Sequence, residues 1–286
     1  MDRQGKVKEG FLNGFAMDAG YDKPKGIVAG FIPVCEFAEP GAIISNLAYA
    51  LSAYGLVVCV TDFKVFYPTL CDWLGGVSAD RKGDGLVRLL DSDRTEVKSI
   101  ALPTDNNNIF LISPSPNDDP EAYFNYSVDD VSRVIALLRE TFDVVLIDIP
   151  NNPALEFCVG ALMHCQRGFF VAAERVDAPR NIQKLMEFAL KITNNARGFR
   201  DIILSHYQGL VYDWGALNDT RIGGKDEIAL RVVARIPYDR EIQQCALDGK
   251  VYVRDGPLAK RKLTKEGKRF SAEMTNLARL ILEVDG

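Results

Sequence analysis

The sequence predicts an α/β protein with a doubly wound, mostly parallel sheet and helices on both faces. Three observations predict it. Short apolar runs rich in Val, Ile and Phe recur along the 286 residues. Unbroken runs of this kind belong to strands covered on both sides. Between them lie stretches whose apolar residues recur at helical spacing, and such alternation winds helices onto both faces of a parallel sheet. Finally, two of the runs, "LVVCVTD" and "DVVLIDIP", carry an aspartate at or near their carboxyl end, the side on which open α/β sheets bind ligands.

The elements follow in order. Residues 1–25 are polar and glycine-rich and read as a flexible arm. "GIVAGFIPV" (26–34) is a buried strand bounded by turn formers. "GAIISNLAYALSAYG" (41–55) is a helix, with Ile44, Leu47, Ala48 and Leu51 at i, i+3, i+4 and i+7 and Gly55 closing it. "LVVCVTD" (56–62) is the second strand. "DGLVRLLDSD" reads as a short helix, and "NNNIFLISPSP" as a short strand stopped by prolines. In "SVDDVSRVIALLRETF" (127–142), Ser127 is an N-cap followed by acidic residues in the first turn. "DVVLIDIP" (143–150) is the next strand. Then come "RGFFVAAE", the helix "RNIQKLMEFALKI", the strands "DIILSHY" and "LRVVARIP", and a final helix around "KRFSAEMTNLARLILEV". With no repeat or linker after residue 25, residues 26–286 read as a single domain.

Composition bounds the function classes. With 47% hydrophobic and 26% charged residues, the chain reads as an ordinary soluble globular protein. A net charge of −5 gives no global attraction to nucleic acid or anionic lipid, although a local patch overrides such an average. The six cysteines show no CxxC spacing and read as free thiols of a reducing cytoplasm. The two histidines, His164 and His206, lack ligand spacing to a cysteine, which argues against zinc. No signal peptide and no run near the roughly 20 apolar residues of a membrane span is evident, so a cytoplasmic location is expected.

Between the first strand and its helix lies "CEFAEPGA", residues 35–42. An apolar strand, a loop and a helix are the frame of a phosphate-binding loop. Such a loop needs glycines that turn backbone amides inward and a cation that offsets charge. Here Pro40 donates no amide hydrogen, and Glu36 and Glu39 would each repel phosphate by about 1 kcal/mol in a well-solvated site. The helix N-terminus at Gly41 still attracts anions weakly. Asp62 and Asp148, at the strand tips, have two readings: ligands of a metal ion or water beside phosphate, or turn formers and caps.

Together, "SNLAYALSAYGLVVCVTDFKVFYPTLCDWLGG", "FDVVLIDIPNNP", "QRGFFVAAERVDAPRNIQKLMEF" and "RIPYDREIQQCALDGKVYV" resemble the ParA/MinD family of deviant Walker A ATPases. The likeness runs from about residue 26 to the end. It implies a P-loop NTPase-like fold, ATP or ADP with Mg²⁺, and Asp62 and Asp148 as the magnesium-side and catalytic carboxylates. It also implies a nucleotide contact surface of Glu36, Phe37, Ala38, Glu39, Pro40, Gly41, Ala42, His206, Pro237 and Asp239. The family loop KGGxGK[ST]T falls on residues 35–42. Its signature lysine lands on Cys35, its glycines on Glu36, Phe37 and Glu39, its phosphate lysine on Pro40 and its magnesium hydroxyl on Gly41. The resemblance therefore implies a positioning or assembly factor that dimerises without turning over ATP. Its flavour is that of the CpaE/TadZ type, linked to pilus or secretion machinery, although the 25-residue arm is too short for that group's receiver-like domain.

Two alternatives stand beside this reading. One is a DNA-binding partition or conjugation accessory protein using the basic cluster Lys260, Arg261, Lys262, Lys265, Lys268 and Arg269. The other is an active NTPase with a non-standard phosphate loop. The apolar stripe Phe270, Met274, Leu277, Leu280 and Ile281 reads as packing on the sheet rather than as a membrane anchor. Phe66, Tyr67, Tyr212 and Trp214 stand in loop contexts, as interface aromatics or buried anchors, and Asn151 and Asn152 read as turn formers.

Overall fold

A computed structural model describes residues 25–74, 85–92, 97–115, 117–152, 155–193, 198–210, 214, 221–222, 228–248, 250–255 and 264–283. The 1–25 arm, apart from Lys25, Tyr212, and Lys260, Arg261 and Lys262 of the basic cluster lie outside these residues. In chain order the elements begin with β1 (Ile27–Pro33), α1 (Pro40–Ala53), β2 (Val58–Asp62), α2 (Leu70–Leu74), α3 (Leu86–Leu90) and α4 (Val97–Ile100). β3 (Leu102–Pro103), β4 (Ile109–Ile112), a 3₁₀ turn (Pro120–Asn125), α5 (Val128–Thr141), β5 (Val144–Asp148), α6 (Leu155–His164) and β6 (Arg167–Ala172) follow. The chain continues with α7 (Ala178–Ile192), β7 (Phe199–Tyr207), β8 (Arg221–Ile222), β9 (Ile228–Ala229), β10 (Arg231–Pro237), α8 (Arg240–Leu247), α9 (Tyr252–Asp255) and α10 (Lys265–Leu282).

One sheet runs in the order β10-β7-β6-β1-β5-β2-β4-β3, and every pairing but the antiparallel β3–β4 edge is parallel. The predicted doubly wound fold is therefore present. The apolar runs are continuous because each strand faces a core on both sides. Val58, Val60, Val144, Leu146 and Phe169 pack with α1 and α10, whereas Cys59, Val145, Ile147 and Phe170 pack with α5, α6 and α7. Phe270, Met274, Leu277 and Ile281 of α10 are buried in the first of these cores, so the stripe is a packing face. Among the described residues no helix is long and apolar enough to cross a membrane. Cys59, Cys158 and Cys165 are buried free thiols; burial pushes the first two up to about 12.

Some elements depart from the sequence expectation. α1 starts at Pro40 rather than Gly41, because proline suits the first helical turn, where its missing N–H has no intrahelical partner. The helix α6 was not expected. Its segment is apolar almost all round, so it carries little helical period. Gly160 lets it lie close on α5, since a Cβ there would fall 2.6 Å from Val131 Cγ1.

Candidate functional site

The strand order brings the two strand-tip aspartates together. β2 and β5 are neighbours, and Asp62 and Asp148 are partners in register and fully buried. Each already has work. The Asp62 carboxylate accepts from the backbone N–H of Lys64 on Oδ1 (2.9 Å) and from Thr69 (2.8 Å) and Leu70 (3.1 Å) on Oδ2. It thereby ties the loop after β2 and the start of α2 to the strand tip. Asp148 faces a charge instead: the Lys64 ammonium lies 2.6 Å from its Oδ2. Its Oδ1 is buried with no hydrogen-bond partner among the described residues. Burial raises both carboxyls. For Asp148 the result is about 7, with Lys64 pulling it down and the neighbouring Asp62 pushing it up. For Asp62, Lys64 and the three backbone donors oppose the rise.

At these tips Lys64 stands where a cation would meet Asp148, and Asp148 Oδ1 is the one oxygen of the pair left without a donor among the described residues. The Asp62 oxygens are taken by backbone donors, and an ammonium sits against Asp148. Gly41, which the resemblance sets at the magnesium hydroxyl, carries no side-chain oxygen, and a Cβ there would make tight contacts. A Cβ there would lie 3.1 Å from Trp73 Nε1 and 3.2 Å from Thr69 Oγ1. Of the two readings of the strand-tip aspartates, Asp62 shows the turn-forming one here, as an acceptor that pins the loop after β2. The signal available in the sequence was Lys64, two residues past the strand tip, which sequence reasoning passed over.

In the loop from β1 to α1 one acid lies near a guanidinium and the other beside an imidazole. Arg175 Nη1 lies 3.6 Å from Glu36 and its Nε donates to Asp177 at 3.1 Å. Glu39 lies 3.4 Å from His206 Nε2, which also hydrogen-bonds Gln243 Nε2 at 2.8 Å. Cys35 Sγ accepts from the Ala173 N–H at 3.2 Å, joining this loop to the end of β6. Phe37 has φ +63° and is 67% exposed, with the Arg175 guanidinium 5.8 Å from its ring centre. Ala38 closes a turn by donating to Cys35 O, and Pro40 and Ala42 are buried in the helix start.

The remaining candidates divide. His206, at the end of β7, meets Tyr238 edge-on and joins Glu39 and Gln243, so it belongs to the face around the loop. Pro237 pairs with Tyr207 in the β10–β7 register. Asp239 caps α8, its Oδ1 accepting from the N–H of Glu241 and Ile242, and its Oδ2 from Thr264 Oγ1. Asn151 donates to Pro33 O at 2.9 Å and so braces the end of β1. Of the basic cluster, Lys265 and Lys268 are exposed at the start of α10, while Arg269 lies over the Tyr207 ring at 5.4 Å. Trp214 is buried and is an anchor; Phe66 and Tyr67 are exposed and neighbour each other, Phe66 also facing Phe124. Exposed apolar side chains recur across the carboxyl-end loops: Phe37, Tyr67, Val176, Leu210 and Tyr238.

No family model matches the chain, and no curated protein sequence does. Solved structures do match it. The cell division ATPase MinD of Pyrococcus furiosus is 20% identical, with a TM-score of 0.69 over 89% of this chain and 99% of that one. The septum site-determining protein MinD of Pyrococcus horikoshii, solved with Mg-ADP, is 17% identical with a TM-score of 0.69 over 91% and 97%. A ParA family ATPase from Chlorobium tepidum is 19% identical with a TM-score of 0.66 over 89% and 99%. At these identities the likeness is one of architecture: the chain has the fold of the MinD and ParA ATPases.

Proposed function

We propose that this chain is a ParA/MinD-like positioning or assembly factor that works by docking proteins on the carboxyl-end face of its sheet, without hydrolysing ATP. The observation that carries the reading is the β1–α1 loop. Where a phosphate cradle would turn amides inward, Glu36 and Glu39 are paired to Arg175 and His206, and Phe37 points an exposed ring outward. A loop of this kind suits a protein surface, since exposed aromatics and arginine are enriched at interfaces. The face holds Phe37, Tyr67 and Tyr238 together with Arg175. The occupant expected first is a second copy of the chain, forming a homodimer, and the cargo is a pilus, secretion or similar machine of the CpaE/TadZ kind. ATP or ADP on this face would bind without turnover.

Sedimentation velocity tests the docking reading. Wild type is expected to dimerise, and Phe37→Asp and Tyr67→Asp to be monomeric with unchanged melting temperatures. Variants that sediment as wild type would remove the face from the account. A second reading, DNA binding, draws on Lys265 and Lys268, both exposed at the start of α10. It predicts salt-dependent binding to non-specific duplex that Lys265→Glu with Lys268→Glu weakens at every sequence.

A further inference from the structure

We propose that Lys64 is a built-in cation that permanently takes the place of a divalent metal at the strand tips. The loop bearing Phe66 and Tyr67 is thereby held in its docking shape with no metal and no nucleotide. The inference rests on the docking reading above and deepens it by naming how the face is kept ready.

Three observations on different groups converge. Lys64 Nζ lies 2.6 Å from Asp148 Oδ2, and its side chain is only 18% exposed, so the cation is largely withdrawn from water. Two buried carboxylates side by side need a positive charge, because burial alone disfavours both ionised forms. Lys64 supplies one positive charge to the two carboxyls, which eases ionisation of either, and such an attraction is stronger in a low-dielectric site than at the surface. The second observation is the backbone. Lys64 is held from both ends, since its own N–H donates to Asp62 at 2.9 Å while its ammonium reaches Asp148. Asp62 also accepts from the N–H of Thr69 and Leu70, so the seven residues after the strand are cinched at both ends to one carboxylate. The third is space. Thr69 Oγ1 and Trp73 Nε1 crowd the position where a Cβ at Gly41 would stand. The cinched loop therefore packs closely against the helix start at the position where the family pattern sets a hydroxyl. Phe66 and Tyr67 ride on this loop, and Phe66 is braced by Phe124 with ring centres 5.9 Å apart.

The test uses Mn²⁺ alone as the probe, followed by electron paramagnetic resonance, on the full chain and without nucleotide. Wild type is expected to show no saturable site. Lys64→Met, which keeps most of the apolar stem and removes the charge, is expected to gain one saturable site at least about tenfold tighter than anything in wild type. Adding Asp148→Asn to that variant is expected to abolish the gain. A saturable wild-type site that Asp148→Asn removes would overturn the proposal, as would a well-folded Lys64→Met that gains nothing. Should Lys64→Met fail to fold, the wild-type titration against Asp148→Asn decides alone. Mn²⁺ bound by wild type in a protein that still dimerises and releases no phosphate sinks the built-in cation and leaves the docking reading standing. Mn²⁺ excluded by a protein that hydrolyses ATP does the reverse.

Discussion

Asp148 carries the sharpest prediction at the residue scale. Its carboxyl is raised to about 7 by burial, against an ordinary value of 3.8. The folded chain therefore holds this proton more tightly than the unfolded chain does. The stability it contributes is fully present below the unfolded value and is lost as pH rises towards 7. Urea denaturation at pH 5 and pH 8 should show wild type losing on the order of 1 kcal/mol or more relative to Asp148→Asn across that interval. The opposite trend would mean that Lys64 keeps Asp148 ionised throughout. Phe37 supplies a second residue-scale prediction. A non-glycine residue at φ +63° costs about 1 kcal/mol or more. Phe37→Gly relieves that strain but loosens the unfolded chain, so melting should place its stability within about 1 kcal/mol of wild type. The same variant loses the exposed ring, and dimerisation should weaken. Unchanged dimerisation would show that the strained ring has no docking role.

Elements are where the sequence was most legible, and α5 shows why. Ser127 accepts from the Asp130 N–H while Asp130 accepts from the Ser127 N–H, a reciprocal cap that the pattern of serine before an acidic first turn announces. Ser127→Ala should cost about 1 kcal/mol in urea denaturation, and no measurable loss would show that tertiary packing alone sets the helix start. β2 and β5 were equally plain, since a parallel strand buried on both faces is an unbroken apolar run. α6 was not, because burial all round erases the period that marks a surface helix. The short β3, α4 and 3₁₀ turn were also missed; their few residues hold too little pattern to be read. The site was half legible. The tips of β2 and β5 were visible as aspartates, but their adjacency depends on β5 inserting between β1 and β2, a fact of strand order that local sequence does not carry. Lys64 acquires its role only from that adjacency. Likewise the pairing of Glu36 with Arg175 and of Glu39 with His206 joins loops from strands far apart in the chain.

For the whole molecule, the sheet keeps the framework of a nucleotide-binding fold while its carboxyl-end face carries different chemistry. A metal-and-phosphate site would need free carboxylate oxygens, a hydroxyl and inward amides. Here both Asp62 oxygens accept from backbone N–H groups, the Lys64 ammonium stands against Asp148 Oδ2, position 41 is a glycine beside Trp73, and Pro40 offers no amide hydrogen. What the face presents instead is exposed Phe37, Tyr67 and Tyr238, with Glu36 near Arg175 and Glu39 beside His206. The claim that this fold docks proteins and does not turn over nucleotide is tested most directly by calorimetric titration with ATP, with and without Mg²⁺, coupled to phosphate release. The account predicts that Mg²⁺ makes no difference to whatever ATP binding occurs and that no phosphate is released above the buffer rate. Tight, Mg²⁺-dependent binding with phosphate release that Asp148→Asn abolishes would contradict it.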